Sequence, residues 1–198
     1  IHSNYYKNPE QLQKGNTLVV GAGDSGFQIL DEISALGQQT YFSGATNVKV
    51  LPQEFLGKTL WWWFSKTGFL NFSKDSWIGK KINKSRQPII GTDVKEILSR
   101  RNVEAVGKTI DAEEQIIYTE KKELTDISNI IWATGYRPNF SWIEGLELTK
   151  EGYPKHKRGI SNTKGLYFIG LPWLHTRGSA TLGGIKNDAK YLIDFIEN

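Results

Sequence analysis

The stretch Thr17–Leu30 reads TLVVGAGDSGFQIL and combines a short apolar run, a glycine-rich turn and the start of an amphipathic pattern. Residues 17–20 are typical of a buried strand, and residues from 25 to about 36 predict a helix with apolar positions at helical spacing. A second strand is expected at 38–42. This order of strand, glycine turn, helix and strand predicts the first βαβ unit of a parallel sheet.

The turn has the spacing GxGxxG, and each glycine has its own role. Gly21 allows the tight turn out of the strand, Gly23 lets the backbone approach a pyrophosphate, and Gly26 lets the helix pack close to the sheet. Free N–H groups at the start of the helix, near Ser25, favour phosphate oxygens. Because the motif follows a strand and opens a helix, it predicts a dinucleotide site rather than a turn used only for packing.

The candidate cofactor-binding residues of this turn are Gly21, Gly23, Asp24, Ser25, Gly26 and Gln28. A carboxylate close to a pyrophosphate repels it. The side chain of Asp24 is therefore expected to point away from the phosphates, towards backbone N–H groups.

The residues after the second strand bear on the choice between NAD and NADP. An NAD site usually has Asp or Glu about 20 residues beyond the glycines, on the ribose 2′-hydroxyl. The sequence 41–49, YFSGATNVK, contains no carboxylate, whereas Ser43, Thr46 and Lys49 are suited to a 2′-phosphate. The loop therefore favours NADP over NAD.

Further elements are expected along the chain. A helix capped by Thr92 or Asp93 is predicted to end near residue 101. Short strand-like pieces between 103 and 125 suggest a small antiparallel meander, and buried strands are expected at 129–133 and 166–169. A final helix carries its apolar residues at helical spacing, namely Ile185, Ala189, Leu192 and Ile196.

Composition excludes several classes of function. The 198 residues contain no cysteine and three scattered histidines, so no disulfide, catalytic dithiol or metal site is expected. No apolar run is long enough to span a membrane and no signal peptide opens the chain, so a cytoplasmic location is expected. The net charge of +4 comes without a recognition helix or RNA-binding aromatic signature, so no nucleic-acid partner is expected.

Four places resemble the flavin-containing monooxygenase family. The turn GAGDSG at 21–26 is similar to that family's second, NADPH-binding fingerprint. His2 and Tyr6 match the end of its identifying motif, a histidine followed four residues later by Tyr or Phe. The segment ATGY at 133–136 is shared with the family, and residues 173–189 resemble the tail that returns to the FAD domain and covers the flavin.

The resemblance implies NADP and FAD as cofactors and the oxidation of a soft nitrogen or sulfur nucleophile in a small-molecule substrate. It adds further candidate cofactor-binding residues, namely Thr134, Gly135, Tyr136, Thr181 and Leu182. No nucleophile–base pair is evident, and no catalytic side chain is assigned, because the flavin carries the reaction in this chemistry.

The resemblance also implies a fold and a domain plan. The fold class is α/β: a Rossmann-like three-layer dinucleotide-binding domain with a small antiparallel meander, plus a partial second domain of the FAD type. Residues 1–14 would be an interdomain linker, 15–135 the NADP-binding domain with an aromatic insertion at about 52–90, and 136–198 the C-terminal piece of the FAD-binding domain.

The family's FAD fingerprint does not occur in this sequence. The chain is therefore expected to be part of a longer flavoprotein, or one product of a split gene, with an N-terminal FAD-binding half as partner. A homodimer is left open. Two other functions also stay open: a flavin disulfide reductase of the thioredoxin-reductase kind with its dithiol outside this chain, and a non-catalytic NADP-binding fragment.

The insertion contains LWWWF at 60–64. Three successive tryptophans cannot all face one core from a helix. One interpretation places two of them inward and one at an interface. The others are a wall of the substrate channel, a contact with the missing half, or a contact with a membrane surface.

Overall fold

The computed structural model describes all 198 residues and divides into two compact units, Ile1–Gln53 with Gln87–Tyr136, and Glu54–Arg86 with Arg137–Asn198. The strands and α-helices are, in chain order, β1 Asn16–Val20, α1 Asp24–Ala35, β2 Thr40–Ser43, β3 Val50–Leu51, β4 Glu54–Phe55, β5 Lys58–Thr59, α2 Leu60–Lys66, α3 Trp77–Lys84, β6 Ile89–Ile90, α4 Val94–Ser99, β7 Val103–Gly107, β8 Thr109–Glu113, β9 Ile116–Thr119, β10 Glu123–Leu124, β11 Ile127–Trp132, β12 His156–Lys157, β13 Ile160–Ser161 and α5 Ile185–Ile196.

A four-stranded parallel sheet with the order β11-β1-β2-β7 forms the centre of the first unit. β1 pairs with β2 from Thr17 opposite Thr40 to Val20 opposite Ser43, and it pairs with β11 on its other side. The predicted βαβ unit is therefore confirmed. Because the chain leaves β1 towards β2 and returns to the opposite side of β1 with β11, the topological switch point lies at β1.

Both faces of this sheet are covered, because successive residues of each strand point to opposite sides. On one side Val19, Phe42 and Ile131 pack against α1 and α4. On the other side Leu18 and Val106 pack against the three-stranded antiparallel meander β8-β9-β10. The result is the expected three-layer arrangement of helices, parallel sheet and meander.

Two local predictions were wrong. The strand-like piece at 103–106 is not part of the meander; it is β7, the edge strand of the parallel sheet, where Val103 pairs with Thr40. No strand forms at 166–169, where the only ladder contact is an isolated bridge between Tyr167 and Ile160. In both cases the apolar pattern is present, but pairing depends on which neighbour the rest of the chain supplies.

Arg100 joins α4 to α1. Its guanidinium lies 2.6 Å from the carboxylate of Asp31 and 2.8 Å from that of Glu96, and it donates to the backbone oxygen of Asp31 and the hydroxyl of Ser34 at 2.9 and 2.7 Å. We expect Arg100→Met to lower the free energy of unfolding by about 2 kcal/mol, because several charge-assisted hydrogen bonds are lost together.

Chemical denaturation measures this change, and Arg101→Met is the matched control. The neighbouring Arg101 is exposed, so its substitution should change stability by less than about 0.5 kcal/mol. Equal effects of the two substitutions would show that the guanidinium of Arg100 does not hold α1 and α4 together.

The second unit is formed from two separate stretches of the chain. The aromatic residues of 54–72 pack against one another in a chain of ring contacts that includes Phe64 on Phe69 at 4.6 Å. Backbone hydrogen bonds tie this stretch to the later one, from Lys74 N to the oxygen of His175 and from Arg177 N to that of Phe72. The assignment of the two units to an NADP domain and an FAD domain remains a prediction.

Candidate functional site

The glycine turn is held by direct backbone contacts. Gly21 has a φ of +123°, and its N–H donates to the oxygen of Ser43 at 2.8 Å. A Cβ on Gly21 would lie 2.1 Å from the backbone oxygen of Ala133, and one on Gly26 would lie 2.0 Å from the oxygen of Gly21. The exit of β1, the first turn of α1 and the end of β11 therefore touch one another with no room for side chains.

Gly23, by contrast, faces open space. It is exposed, and a Cβ built on it would have no heavy atom within 4 Å. It is the N-cap of α1 and provides no side-chain cap for the N–H groups of the first turn, which includes Ser25 and Gly26. An open backbone surface ahead of uncapped N–H groups fits a pyrophosphate.

The charged and amide side chains of this turn point outward. Asp24 and Gln28 are both exposed. The expected hydrogen bonds from backbone N–H groups to the carboxylate of Asp24 do not form, because the N-cap position is occupied by Gly23 and Asp24 is already the first helical residue. Its charge stays in solvent, at the end of the helix where the macrodipole favours it.

Two of the three residues predicted to suit a 2′-phosphate, Ser43 and Lys49, lie in different environments. Ser43 is only 2% exposed, and its hydroxyl accepts hydrogen bonds from the N–H and the hydroxyl of Thr109, both at 2.8 Å. That oxygen joins the end of β2 to β8 and faces the interior. Lys49 is exposed and forms no ion pair. Of the two, Lys49 has the side chain that can reach an anion.

A cavity of about 570 Å³ lies beside Lys49 in the first unit. It is bordered by the residues that follow β2 and by the N-terminal end of α4, namely Val48, Val50–Gln53 and Gly91–Lys95. Asp93 caps α4 by accepting from the N–H of Glu96, as predicted. The cavity therefore lies on the β2 side of the glycine turn and has both apolar and polar walls.

The segment after β11 forms the other side of the turn. The N–H of Ala133 donates to the oxygen of Val20 at 2.7 Å, and Thr134, Gly135 and Tyr136 follow as exposed residues. In a parallel sheet the carboxyl ends of all strands meet at one edge. The structure thus brings residues 21–28 and 134–136 to the same edge, around the switch point at β1, while Lys49 lies six residues beyond the end of β2.

Residues 1–6 contribute to this edge, which the sequence alone did not indicate. His2 forms a parallel bridge with Trp132, and its ring meets that of Tyr136 edge-on at 5.4 Å. The hydroxyls of Ser3 and Tyr136 are 3.2 Å apart. No periodicity marks this segment, and the His-x-x-x-Tyr motif singles it out without giving its place in the fold.

Tyr6 anchors the same segment to α1. Its hydroxyl donates to Glu32 at 3.0 Å. Burial and the neighbouring Glu32 carboxylate raise the pKa of the Tyr6 phenol, so it stays protonated as the donor. The His-x-x-x-Tyr motif therefore connects the end of β11 to the helix that follows the glycine turn.

Thr181 and Leu182 lie in the second unit, just before α5. The hydroxyl of Thr181 donates to the oxygen of Gly178 at 2.8 Å and accepts from the N–H of Gly184 at 3.2 Å. Leu182 is 97% exposed. Helix α5 has no side-chain cap, because its N-cap is Gly184. The N–H of Ile185 donates instead to the backbone oxygen of Thr181 at 3.0 Å, so the turn itself occupies part of the N-terminus of α5.

A buried ion pair that the sequence did not reveal lies along α5. Asp188 is 1% exposed, and its carboxylate lies 3.4 Å from the Nε of Arg158, whose guanidinium stacks on Tyr191 at 4.1 Å. These residues border a cavity of about 430 Å³ together with His175. Burial and the charge of Arg158 lower the pKa of His175, so the imidazole is neutral near pH 7.

Comparison with known proteins finds relatives among oxidoreductases and monooxygenases. The chain is 41% identical over 199 residues to a protein of Geobacillus kaustophilus (strain HTA426) named uncharacterized oxidoreductase CzcO-like, covering 100% of this chain and 57% of that protein. It is 28% identical over 210 residues to the probable indole-3-pyruvate monooxygenase YUCCA4 of Arabidopsis thaliana, covering 91% of this chain and 51% of that protein. The chain is thus similar to oxidoreductases and monooxygenases, in line with the resemblance of its motifs to the flavin-containing monooxygenases.

The fold is shared with a protein of known structure. The flavin-containing monooxygenase of Stenotrophomonas maltophilia superposes on 99% of the chain and 53% of its own length with a TM-score of 0.69 at 21% identity, which shows a shared fold. No protein-family model matches the chain. The chain spans about half the length of the curated relatives it matches. No helix is long and apolar enough to cross a membrane.

Proposed function

We propose that this chain is the nucleotide-binding part of an NADPH- and FAD-dependent flavin monooxygenase that oxidises soft nitrogen or sulfur nucleophiles in small molecules. The observation that carries the proposal is the open backbone at Gly23, ahead of an uncapped helix and at the switch point of a parallel sheet. The flavin would supply the oxidising chemistry and NADPH the reducing equivalents.

In this proposal each part of the edge binds one part of the nucleotide. The N–H groups of residues 24–26 bind the pyrophosphate, and Lys49 binds the 2′-phosphate in place of Ser43, whose hydroxyl is buried and engaged. The cavity beside residues 48–53 lies on the adenosine side, because the ribose of such a nucleotide sits at the end of the second strand. Thr134, Gly135 and Tyr136 lie on the opposite, nicotinamide side.

The second unit would bind the flavin together with a further half of the protein. Thr181 and Leu182 stand before the N-terminus of α5, where the helix dipole favours a flavin oxygen. The outer surface of α5 exposes Ile193, Phe195 and Ile196 to between 49% and 56%. Apolar side chains at this density support an interface with another part of the protein, proposed as the N-terminal FAD-binding half in the cytoplasm.

The choice of NADP over NAD is tested at Lys49. We expect Lys49→Gln to weaken NADPH binding about tenfold and to leave NADH binding unchanged, because one charge-assisted contact to the 2′-phosphate is lost. Energy transfer from tryptophan to the reduced nicotinamide measures both affinities. Lys14→Gln is the matched control, because Lys14 is exposed and lies before β1, at the amino end of the sheet.

The reaction is tested on the protein together with its FAD-binding half, by flavin absorbance with NADPH, under air and without oxygen. Bleaching that air reverses, with conversion of a supplied thioether to its S-oxide, supports the monooxygenase. A colourless protein that binds NADPH supports the non-catalytic alternative instead. Reduction of a disulfide substrate would contradict the proposal, although the absence of cysteine already leaves this chain without a dithiol of its own.

A further inference from the structure

The net positive charge of the chain is concentrated in the segment 54–86. This segment contains two acidic residues and seven basic ones, namely Lys58, Lys66, Lys74, Lys80, Lys81, Lys84 and Arg86. This excess of five charges within one stretch is larger than the +4 of the whole chain, so the remaining residues are slightly negative together. All of the lysines except Lys74 are classed as exposed.

The same segment exposes large apolar side chains, namely Phe55, Leu56, Trp61, Trp62, Trp77 and Ile78. Trp77 is 74% exposed, and Trp61 and Trp62 are 43% and 39% exposed. The sequence interpretation with two inward tryptophans in LWWWF is therefore wrong for this chain. Trp63 is the most buried of the three tryptophans in LWWWF, and its indole N–H donates to the oxygen of Phe55 at 2.8 Å.

Lysines accompany the exposed indoles at close range. The ammonium groups of Lys58 and Lys66 lie 5.9 and 5.8 Å from the ring centre of Trp62, and that of Lys81 lies 5.4 Å from Trp77. An indole with a cation beside it suits the boundary between headgroups and acyl chains, where the ring meets both apolar and polar surroundings and the lysine reaches the phosphates.

Local hydrogen bonds keep these side chains on ordered elements. Thr59 caps α2 by accepting from the N–H of Trp62, and Ser76 caps α3 by accepting from that of Gly79. Gly79 packs closely on the backbone of Ser73, where a Cβ would lie 1.9 Å from its oxygen. The exposed tryptophans are therefore presented by short capped helices and not by an irregular loop.

We propose that the segment 54–86 docks the protein on the surface of a membrane rich in anionic phospholipid. Exposed tryptophans supply apolar contact and the lysines supply attraction to anionic headgroups, the two contributions that bind a peripheral protein to a bilayer. A nucleic acid also attracts a basic segment. The observations favour lipid, because six of the seven basic residues are lysine and the apolar side chains are extensively exposed.

The test is co-sedimentation of the purified chain with vesicles of phosphatidylcholine alone and of phosphatidylcholine with about one third phosphatidylglycerol. We expect binding to the anionic vesicles only, decreasing as salt is raised. The triple variant Lys80→Gln, Lys81→Gln, Lys84→Gln should bind them at least about tenfold more weakly, since each lysine near an anionic surface contributes severalfold. Trp77→Ser should also weaken binding.

Matched controls come from the rest of the second unit and from the residues before β1. Trp142 is 75% exposed, nearly the same as Trp77, so Trp142→Ser should leave vesicle binding unchanged. The variant Lys14→Gln, Lys150→Gln, Lys164→Gln removes three exposed lysines outside the segment and should have at most a small effect. Circular dichroism of every variant confirms that it is folded.

Several outcomes would overturn the proposal. These are no binding to anionic vesicles, equal binding of the Lys80/Lys81/Lys84 variant and its control, and tighter binding to a duplex oligonucleotide than to vesicles. Self-association that Trp77→Ser abolishes, without any vesicle binding, would assign the segment to contact between copies of the chain. None of these results depends on nucleotide binding, so the inference stands or falls separately from the proposed function.

Discussion

Gly26→Ala should destabilise the protein by about 3 kcal/mol, at the upper end of the usual cost of overpacking. The added Cβ would lie 2.0 Å from the backbone oxygen of Gly21, and that residue is itself pressed against the oxygen of Ala133. Neither neighbour is the end of a flexible side chain. Helix α1 would have to move away from the sheet, and its buried Phe27 and Leu30 would lose contacts.

Thermal and denaturant unfolding measure this loss, with Gly183→Ala as the control. Gly183 is exposed, has no positive φ, and a Cβ on it would meet nothing within 4 Å. The free energy of unfolding of the control should lie within about 0.5 kcal/mol of that of the unaltered chain. An equally small effect at Gly26 would mean that α1 does not need the close approach to Gly21.

Gly23→Val, three residues earlier in the same turn, should have the opposite profile: a nearly unchanged fold and a loss of NADPH binding of at least about a hundredfold. The backbone of Gly23 is extended, with φ −100° and ψ −177°, which a valine adopts without strain. Its side chain would project into the open space that the proposed pyrophosphate occupies. Gly23→Ala should give a smaller loss in the same direction.

Binding is measured by titration with NADPH, and stability by the unfolding midpoint. The free energy of unfolding should fall by no more than about 1 kcal/mol, the amount expected from changing an N-cap residue. Gly183→Ala again serves as control and should bind NADPH normally if the first unit alone holds the nucleotide. Retention of NADPH affinity in Gly23→Val would show that the pyrophosphate does not lie on this turn.

The sequence predicted most of the first unit because local patterns and tertiary structure agree there. The apolar run 17–20, the turn 21–26 and the helix at 24–35 each have one dominant signal, and β1, β2 and β11 formed as expected. The piece at 103–106 was wrongly assigned to the meander. It forms β7, which pairs with β2 sixty residues earlier, and no local sequence feature indicates that pairing. The strand expected at 166–169 lacked a partner that could complete a ladder.

The candidate site likewise contains residues that the sequence predicted and residues that it did not. Gly21, Gly23 and Gly26 could be read from their spacing, because the geometry of the turn dictates the residue type. The burial of Ser43 could not be read, since its partner Thr109 comes from a strand in another layer. The contacts of His2 with Tyr136, and of Arg158 with Asp188, join residues far apart in sequence, and only the folded chain shows them.

Each unit is built from two stretches that alternate along the sequence, and this has a consequence for folding. The sheet of the first unit closes only when β11 reaches β1, more than a hundred residues later, and the segment 54–86 leaves that unit and returns to it. Closing long loops costs entropy before any distant pairing rewards it, so folding is expected to be slow relative to the chain's length. During synthesis from the N-terminus, neither unit can finish early: the first waits for residue 132, and the second waits for the helix at the end of the chain. A cleavage after Gln53 would divide the first unit and leave all of the second unit in one fragment, so limited proteolysis there should yield no fragment that folds as the first unit.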